Sequence, residues 1–219
     1  MIIARENTEN GEIVLRQGLA GYEIIVDGQF LMSSASGDSS KALIKLGLEK
    51  LRPRNNLKVL VAGLGLGFSL KVALETTIVS RVTIVELEKR LIEWHQSDLI
   101  FGSAQSLNDQ RVSIKNQDFL RYCDDCREKF DLIALDIDNG PGWLSHESNS
   151  GLYTSDYLKQ INEILNPQGI LTVWSAAVSP GLRQTLAEIY GDVEEVEVLD
   201  HNGEGKTISA FIYICGNTV

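Results

Sequence analysis

Apolar positions along the chain fall into two regimes. Over residues 12–32 they come in short runs, Glu12–Gln17, Tyr22–Val26 and Gln29–Met32, of the length and alternation that half-buried strands show. Gly18–Gly21 and the pair Asp27-Gly28 separate these runs, and Asp-Gly between two strand patterns is a strong hairpin signal. The small residues Ser33–Gly37 close the stretch. Asp38 is then placed to cap a helix through Leu51, with Pro53 to end it. From Leu57 onward, strand and helix alternate. Lys58–Ala62, Val82–Val85, Val112–Ile114, Asp131–Leu135 and Ile170–Trp174 read as core strands. Phe68–Leu74, Glu88–Gln96, 119–124 and 154–165 read as helices; in the last, Tyr157, Leu158, Ile161, Ile164 and Leu165 share a face. Asn166-Pro167-Gln168-Gly169 is expected to stop that helix. Ser179 caps and Pro180 opens a further helix, with Leu182, Leu186 and Ile189 turned inward. Val193–Val198 and Thr207–Ile214 then form a closing hairpin around the polar loop Asp200–Gly205.

Five strand–helix units followed by a hairpin predict an α/β fold. It is a doubly wound, Rossmann-like, seven-stranded mixed sheet with a C-terminal antiparallel hairpin, plus a small N-terminal β-hairpin appendage. Residues 1–35 are assigned to the appendage and 36–219 to the main domain. Parallel neighbours need crossover helices, which this alternation supplies. Ligands in such sheets bind beyond the carboxyl ends of the strands, so candidate chemistry is sought just after each strand.

Three strand ends carry it. Val59–Ala62 runs into Gly63-Leu64-Gly65-Leu66-Gly67 and then a helix, and alternate glycines allow a tight turn and close backbone approach. A dinucleotide fingerprint would place glycine at position 68, where Phe68 stands. The G-x-G-x-G spacing is instead typical of S-adenosylmethionine enzymes, although a glycine turn can also serve packing alone. The second strand ends in Glu86, a carboxylate able to accept from both hydroxyls of a ribose. No arginine follows it directly to receive a 2′-phosphate. The third ends in Asn116-Gln117-Asp118, where Asp118 either accepts from an adenine amine or caps the helix at 119–124.

Charge narrows the partners. Twenty Lys and Arg against 30 Asp and Glu leave a net charge of −10, which repels phosphate backbones and anionic lipid. Neutral or cationic small molecules suit it better than nucleic acid. No apolar run approaches the ~20 residues of a membrane span, and no signal-peptide pattern opens the chain; a cytoplasmic protein is expected. Three cysteines make no disulfide framework, and Cys123-x-x-Cys126 has no second pair to complete a zinc site, so no metal is expected.

The order of these motifs resembles the spermidine synthase-like family over nearly the whole chain. The resemblance rests on Val26-Asp27-Gly28, Gly63–Gly67, Val85-Glu86-Leu87-Glu88 and Phe130–Asp136. It continues through Gly140-Pro141-Gly142, Leu152-Tyr153 with Tyr157, and Asn166–Leu171. It implies a class I methyltransferase-type fold, a nucleoside site at Gly63, Gly65, Gly67, Glu86 and Asp118, a catalytic acid at Asp136, and a homodimer. Three departures stand beside it. Leu66 replaces an Asp that meets the amine of decarboxylated S-adenosylmethionine and would repel the carboxylate of the intact compound, by several kcal/mol at an effective dielectric of about 20. Asn139 replaces the second acid of a D-x-x-D pair, with Asp138 the candidate to stand in for it. Ser39-Ser40-Lys41 occupies the place of a diamine-lining aromatic.

The resulting expectation is an S-adenosylmethionine-dependent methyltransferase acting on a small polar or amine substrate. The alternatives are an aminopropyltransferase using decarboxylated S-adenosylmethionine and a polyamine, or a nucleoside-binding protein without catalysis. In either transfer the protein mainly aligns donor and acceptor, and Asp136 lies where a proton from an amine would go. Asp138, Asn139 and Tyr153 are the candidate substrate contacts. Trp143, Tyr153 and Trp174 either face a sulfonium, at ~0.5–2 kcal/mol, or pack. His146 is a weaker candidate base.

Overall fold

The computed structural model describes residues 1–19, 21–35, 37–100, 102–137, 139–141, 151–201 and 206–216. Two sheets make up the architecture. The first is a four-stranded antiparallel meander of β1 (Ile2–Thr8), β2 (Gly11–Gln17), β3 (Tyr22–Val26) and β4 (Gln29–Ser33). Asp27 and Gly28 both take positive φ, 48° and 77°, in the turn between β3 and β4, the geometry for which Asp-Gly is selected. β1 is an addition to the three expected strands. Its residues are half-exposed and mixed in polarity, and pairing with β2 from Ile2↔Arg16 to Thr8↔Gly11 is what makes them a strand.

The second sheet has seven strands in the order β10-β11-β9-β8-β5-β6-β7. They are β5 (Leu57–Ala62), β6 (Val79–Glu86), β7 (Val112–Asn116), β8 (Phe130–Leu135), β9 (Leu165–Ser175), β10 (Val193–His201) and β11 (Thr207–Gly216). β5 to β9 pair in parallel, and β11 runs antiparallel to both β9 and β10. The doubly wound mixed sheet with its C-terminal hairpin is therefore the observed fold. The helices are α1 (Asp38–Lys50), α2 (Phe68–Glu75), α3 (Lys89–Gln96), α4 (Ala104–Leu107), α5 (Phe119–Asp125), α6 (Ser155–Glu163) and α7 (Pro180–Tyr190).

The alternation of β5 explains the layers. Val59 and Val61 face a core shared with Leu43 and Ile44 of α1, Leu70 of α2 and Trp94 of α3. Leu60 and Ala62 face the other way, onto Phe119 of α5, Leu158 of α6 and Leu186 of α7. Such a strand is covered on both faces and reads as a continuous apolar run. Ile13, Leu15 and Ile24 of the first sheet join the α1–α3 side.

Two local expectations change. Asp38 is the first residue of α1 and not its cap; the cap position is Gly37, which offers no side chain. The Asn166–Gly169 stretch does not lie between a helix and a strand, because β9 already begins at Leu165. Its pairing with β8 shifts register between Leu165 and Ile170, with Gln168 at φ 62°. An irregularity of this kind lets turn-forming residues sit inside a ladder. No helix of the described residues is long and apolar enough to cross a membrane.

Candidate active site

Strand order reverses between β5 and β8: β6 and β7 continue on one side, β9 on the other. A crevice opens at such a switch point, and here it is a cavity of about 400 Å³. Gly63 and Gly65 line it from the end of β5, Glu86 and Glu88 from β6, Gln117 and Asp118 from β7, and Asp136 and Asn139 from β8. The first sheet contributes Ile13, Ile24, Phe30 and Met32 to the wall, and the C-terminal hairpin contributes Asp200 and Ile208.

The β5 and β8 ends are laced together. The Asp136 N–H donates to the Ala62 carbonyl at 2.9 Å, and the Gly63 N–H to that of Val85 at 2.9 Å. Gly63 has φ 93°, and a Cβ there would overlap the carbonyl oxygen of Asp136. Gly65 has φ 50° and would place a Cβ 2.7 Å from Met32 Sδ; Gly67, at 81°, would place one 3.3 Å from His95 Cε1. Protein atoms thus close the turn from behind, while Gly63 and Gly65 keep a face on the cavity. Gly67 is not among the lining residues and starts α2 in a left-handed conformation.

Glu86 points into the glycine turn. Its Oε2 accepts from the Leu64 N–H at 2.8 Å and its Oε1 from the Glu88 N–H at 2.6 Å. Burial pushes its carboxyl above the usual range, although both amides pull the other way. Each oxygen retains a lone pair for a ligand hydroxyl. Asp118 caps α5, its Oδ1 accepting from the Arg121 N–H at 2.9 Å, and the residue also lines the cavity. Asp136 keeps a face on the cavity, yet burial raises its carboxyl as well, with the hydroxyls of Ser40 and Ser69 opposing.

The remaining candidates divide. Asn139 lines the cavity, whereas Tyr153 packs against the α5–α7 core and is not part of the lining. Trp174 is in the wall. Asp138, Trp143 and His146 lie outside the described residues. Cys123 is buried, and that burial pushes its thiol up to about 12, which disfavours its thiolate. Lys41, in the stretch that takes the place of a diamine-lining aromatic, pairs with Asp38 at 2.8 Å and sits 5.3 Å over the Phe68 ring, outside the lining. Leu66 is buried in the core, and its N–H donates to Met32 Sδ at 3.1 Å.

Several residues had no distinguishing sequence pattern. His95 is fully buried on the inner face of α3, with Nε2 2.8 Å from the Gly65 carbonyl; burial lowers its pKa, so the ring is neutral and supports the turn. Its apolar flanks, Leu91, Ile92 and Trp94, were the available signal. Ser40, Ser69 and Asp200 are common residue types whose importance comes from what they meet in space.

Residues 40–188 match the spermine/spermidine synthase domain family. The chain is 26% identical over 197 residues to a polyamine aminopropyltransferase of Oceanobacillus iheyensis, covering 89% of this chain and 36% of the relative. It is 26% identical over 196 residues to one from Saccharolobus solfataricus, covering 89% of this chain and 64% of the relative. The chain thus spans less than two thirds of the length of these relatives. Among solved structures it superposes on a spermidine synthase in complex with the transition state analogue AdoDATO, with a TM-score of 0.84 and 15% identity, covering 100% of this chain and 74% of the other. The spermidine synthase of Thermotoga maritima gives 0.79 at 14% identity, covering 100% and 73%. These likenesses give the expectation of a methyltransferase no support. A glycine turn, strand-end acids and an enclosed Asp136 around one switch-point cavity go with a family match over most of the chain: the protein belongs to the spermine/spermidine synthase domain family.

Proposed function

We propose that the chain is a transferase of the aminopropyl type, moving an aminopropyl group from decarboxylated S-adenosylmethionine onto an amine. The carrying observation is the charge of the cavity wall. Glu12, Glu86, Glu88, Asp118, Asp136 and Asp200 line it, and among the described residues no Lys or Arg does. A donor bearing a sulfonium and an ammonium is attracted to such a wall. One bearing an α-carboxylate is opposed by about 3 kcal/mol for each acid ~5 Å away, at an effective dielectric of about 20. The glycine turn offers that carboxylate little relief. The N–H groups of Gly63, Leu64, Leu66 and Gly67 are already given to Val85, Glu86, Met32 and Leu64. The Leu66 departure therefore weighs less than its sequence position implies, since its side chain is turned into the core.

In this reading Gly63, Gly65, Glu86 and Asp118 hold the nucleoside, Gly67 sets the turn, and Asp136 faces the acceptor, with Asn139 also in the wall. The donor supplies an activated carbon–sulfur bond. As the amine nitrogen bonds to that carbon and the thioether departs, the amine releases a proton, and the raised Asp136 carboxylate is a suited acceptor.

Isothermal titration with the two donors tests the assignment. Decarboxylated S-adenosylmethionine is expected to bind at least about tenfold tighter, ~1.4 kcal/mol, and incubation with a diamine to yield the aminopropylated product by mass spectrometry. Tighter binding of the intact compound would restore the methyl-transfer reading. Binding of neither would leave a protein that does not act on this class of donor.

A further inference from the structure

Asp136 is held from two helices at once. Ser69, the second residue of α2, has its Oγ 3.2 Å from Asp136 Oδ2 and 3.0 Å from the carbonyl oxygen of Ser40. Ser40 lies in the first turn of α1, and its own hydroxyl acts on the same carboxyl. Both serines are buried, so these bonds are shielded from bulk water on the helix side.

A serine hydroxyl has one hydrogen to give and lone pairs to receive with. Ser69 therefore faces two acceptors with one hydrogen. When Asp136 is ionised, turning that hydrogen to Oδ2 makes a charge-assisted bond, roughly twice as strong as a neutral one. When Asp136 is protonated, the acid O–H can donate to Ser69 Oγ while the serine hydrogen turns to the Ser40 carbonyl. In each state the Ser69 hydrogen has an acceptor and Asp136 Oδ2 has a partner, which matters in a partly enclosed site. The Ser40 end is fixed as well. Asp200, from β10, accepts from the Gly37 N–H at 3.1 Å, the Ser39 N–H at 3.0 Å and the Ser39 hydroxyl at 2.8 Å, pinning the start of α1.

We propose that Ser69 is a positioning residue that serves Asp136 in both protonation states, its hydroxyl turning from the carboxylate to the Ser40 carbonyl as the proton of the acceptor amine arrives. This rests on the reading of Asp136 as proton acceptor. The other carboxylates of the wall are Glu12 from β2, Glu86 and Glu88 beside β6, Asp118 at the start of α5 and Asp200 from β10. The upward displacement of Asp136 comes first from burial, with the two serine hydroxyls opposing it.

The test is a 13C NMR titration of the ligand-free protein labelled at aspartate carboxyls, with Asp136 identified by its loss in Asp136→Asn. Removing a bond that favours the charged form raises the midpoint, so Ser69→Ala is expected to move it up by about one pH unit. Ser69→Thr, which keeps the hydroxyl, is expected to return it to within about 0.3 unit of the parent. Should the alanine variant not fold, Ser69→Cys, with a weak donor of similar size, is expected to move the midpoint in the same direction. An unmoved midpoint in the alanine or cysteine variant overturns the inference. So does an equal displacement in the threonine variant with a lowered Tm, which marks a packing role. In turnover, Ser69→Ala is expected to lower kcat about 10- to 100-fold with KM within about twofold. Full turnover in Asp136→Asn would remove the proton-acceptor reading itself; an inactive Asp136→Asn beside a Ser69→Ala of parental midpoint and kcat would overturn only the role of Ser69.

Discussion

Gly63 answers to two constraints at a single position. Its φ of 93° is one that side chains rarely adopt, and the space a Cβ would need is filled by the Asp136 carbonyl. Strain of this kind costs on the order of 1–3 kcal/mol before the overlap is counted. Gly63→Ala is therefore expected to lower Tm by at least ~4 °C and to weaken donor binding more than tenfold, because relief requires parting the β5 and β8 ends that bound the cavity. Calorimetric melting with and without donor checks both; an alanine variant of parental Tm and affinity would mean the turn relaxes freely. Glu86 and His95 hold the same turn from the side and from beneath, one through the Leu64 amide and the other at the Gly65 carbonyl.

At the level of elements, α1 is capped by another part of the chain. Its own sequence supplies only Gly37 at the cap position, and the amides of Gly37 and Ser39 are met by Asp200 at the far end of β10. Burial pushes the Asp200 carboxyl up, but the Ser39 amide and hydroxyl and the amides of His201 and Gly37 outweigh it, and the net pKa is lowered. A carboxylate lowered on folding stabilises above its unfolded value, about 3.9, and that contribution fades as pH falls through the folded value. Asp200→Asn is expected to cost roughly 1–2 kcal/mol at neutral pH, a Tm loss of ~2–8 °C. It should also flatten the acid side of the stability curve below about pH 4. Melting curves from pH 2.5 to 7 would show this; parallel parent and variant curves would refute it. The start of α1 carries Ser40, so this cap also bears on the geometry around Asp136.

On the scale of the molecule, the cavity is made by two sheets meeting. The turn between β1 and β2 reaches the β6 end of the cavity, where Thr8 Oγ1 lies 2.8 Å and Asn10 Nδ2 3.4 Å from Glu88 Oε2. Glu88 also caps α3 through the Arg90 amide, so one side chain joins the N-terminal sheet to the start of α3 beside the cavity. Thr8→Val combined with Asn10→Ala leaves the α3 cap intact and frees the sheet at this point. Two bonds to a charged group in partial contact with water are worth about 1 kcal/mol together, so donor affinity is expected to fall about fivefold with Tm moved by less than ~3 °C. Titration calorimetry reads the first and melting the second. Unchanged affinity would mean that the contact does not help to close the cavity.

What the chain's order of residues settled alone is the part governed by local periodicity and turn chemistry. The run Val59–Ala62 can be satisfied only inside a sheet, Asp27-Gly28 only in a tight turn, and Ser179-Pro180 only at a helix start, so the fold and the three strand ends were legible. The family motifs were also legible, because they lie in continuous segments. The start of α1, the extra strand β1 and the bulged Asn166–Gly169 stretch were not, since each depends on a partner distant in sequence. The same holds for the charge of the cavity. Leu66 and Lys41 were read from their place in a motif, yet folding turns one into the core and pairs the other with Asp38. Ser69 and Asp200 gain their roles only from what the fold sets beside them. Hydrogen bonds and burial act between neighbours in space, and only the closed tertiary structure decides which residues those are.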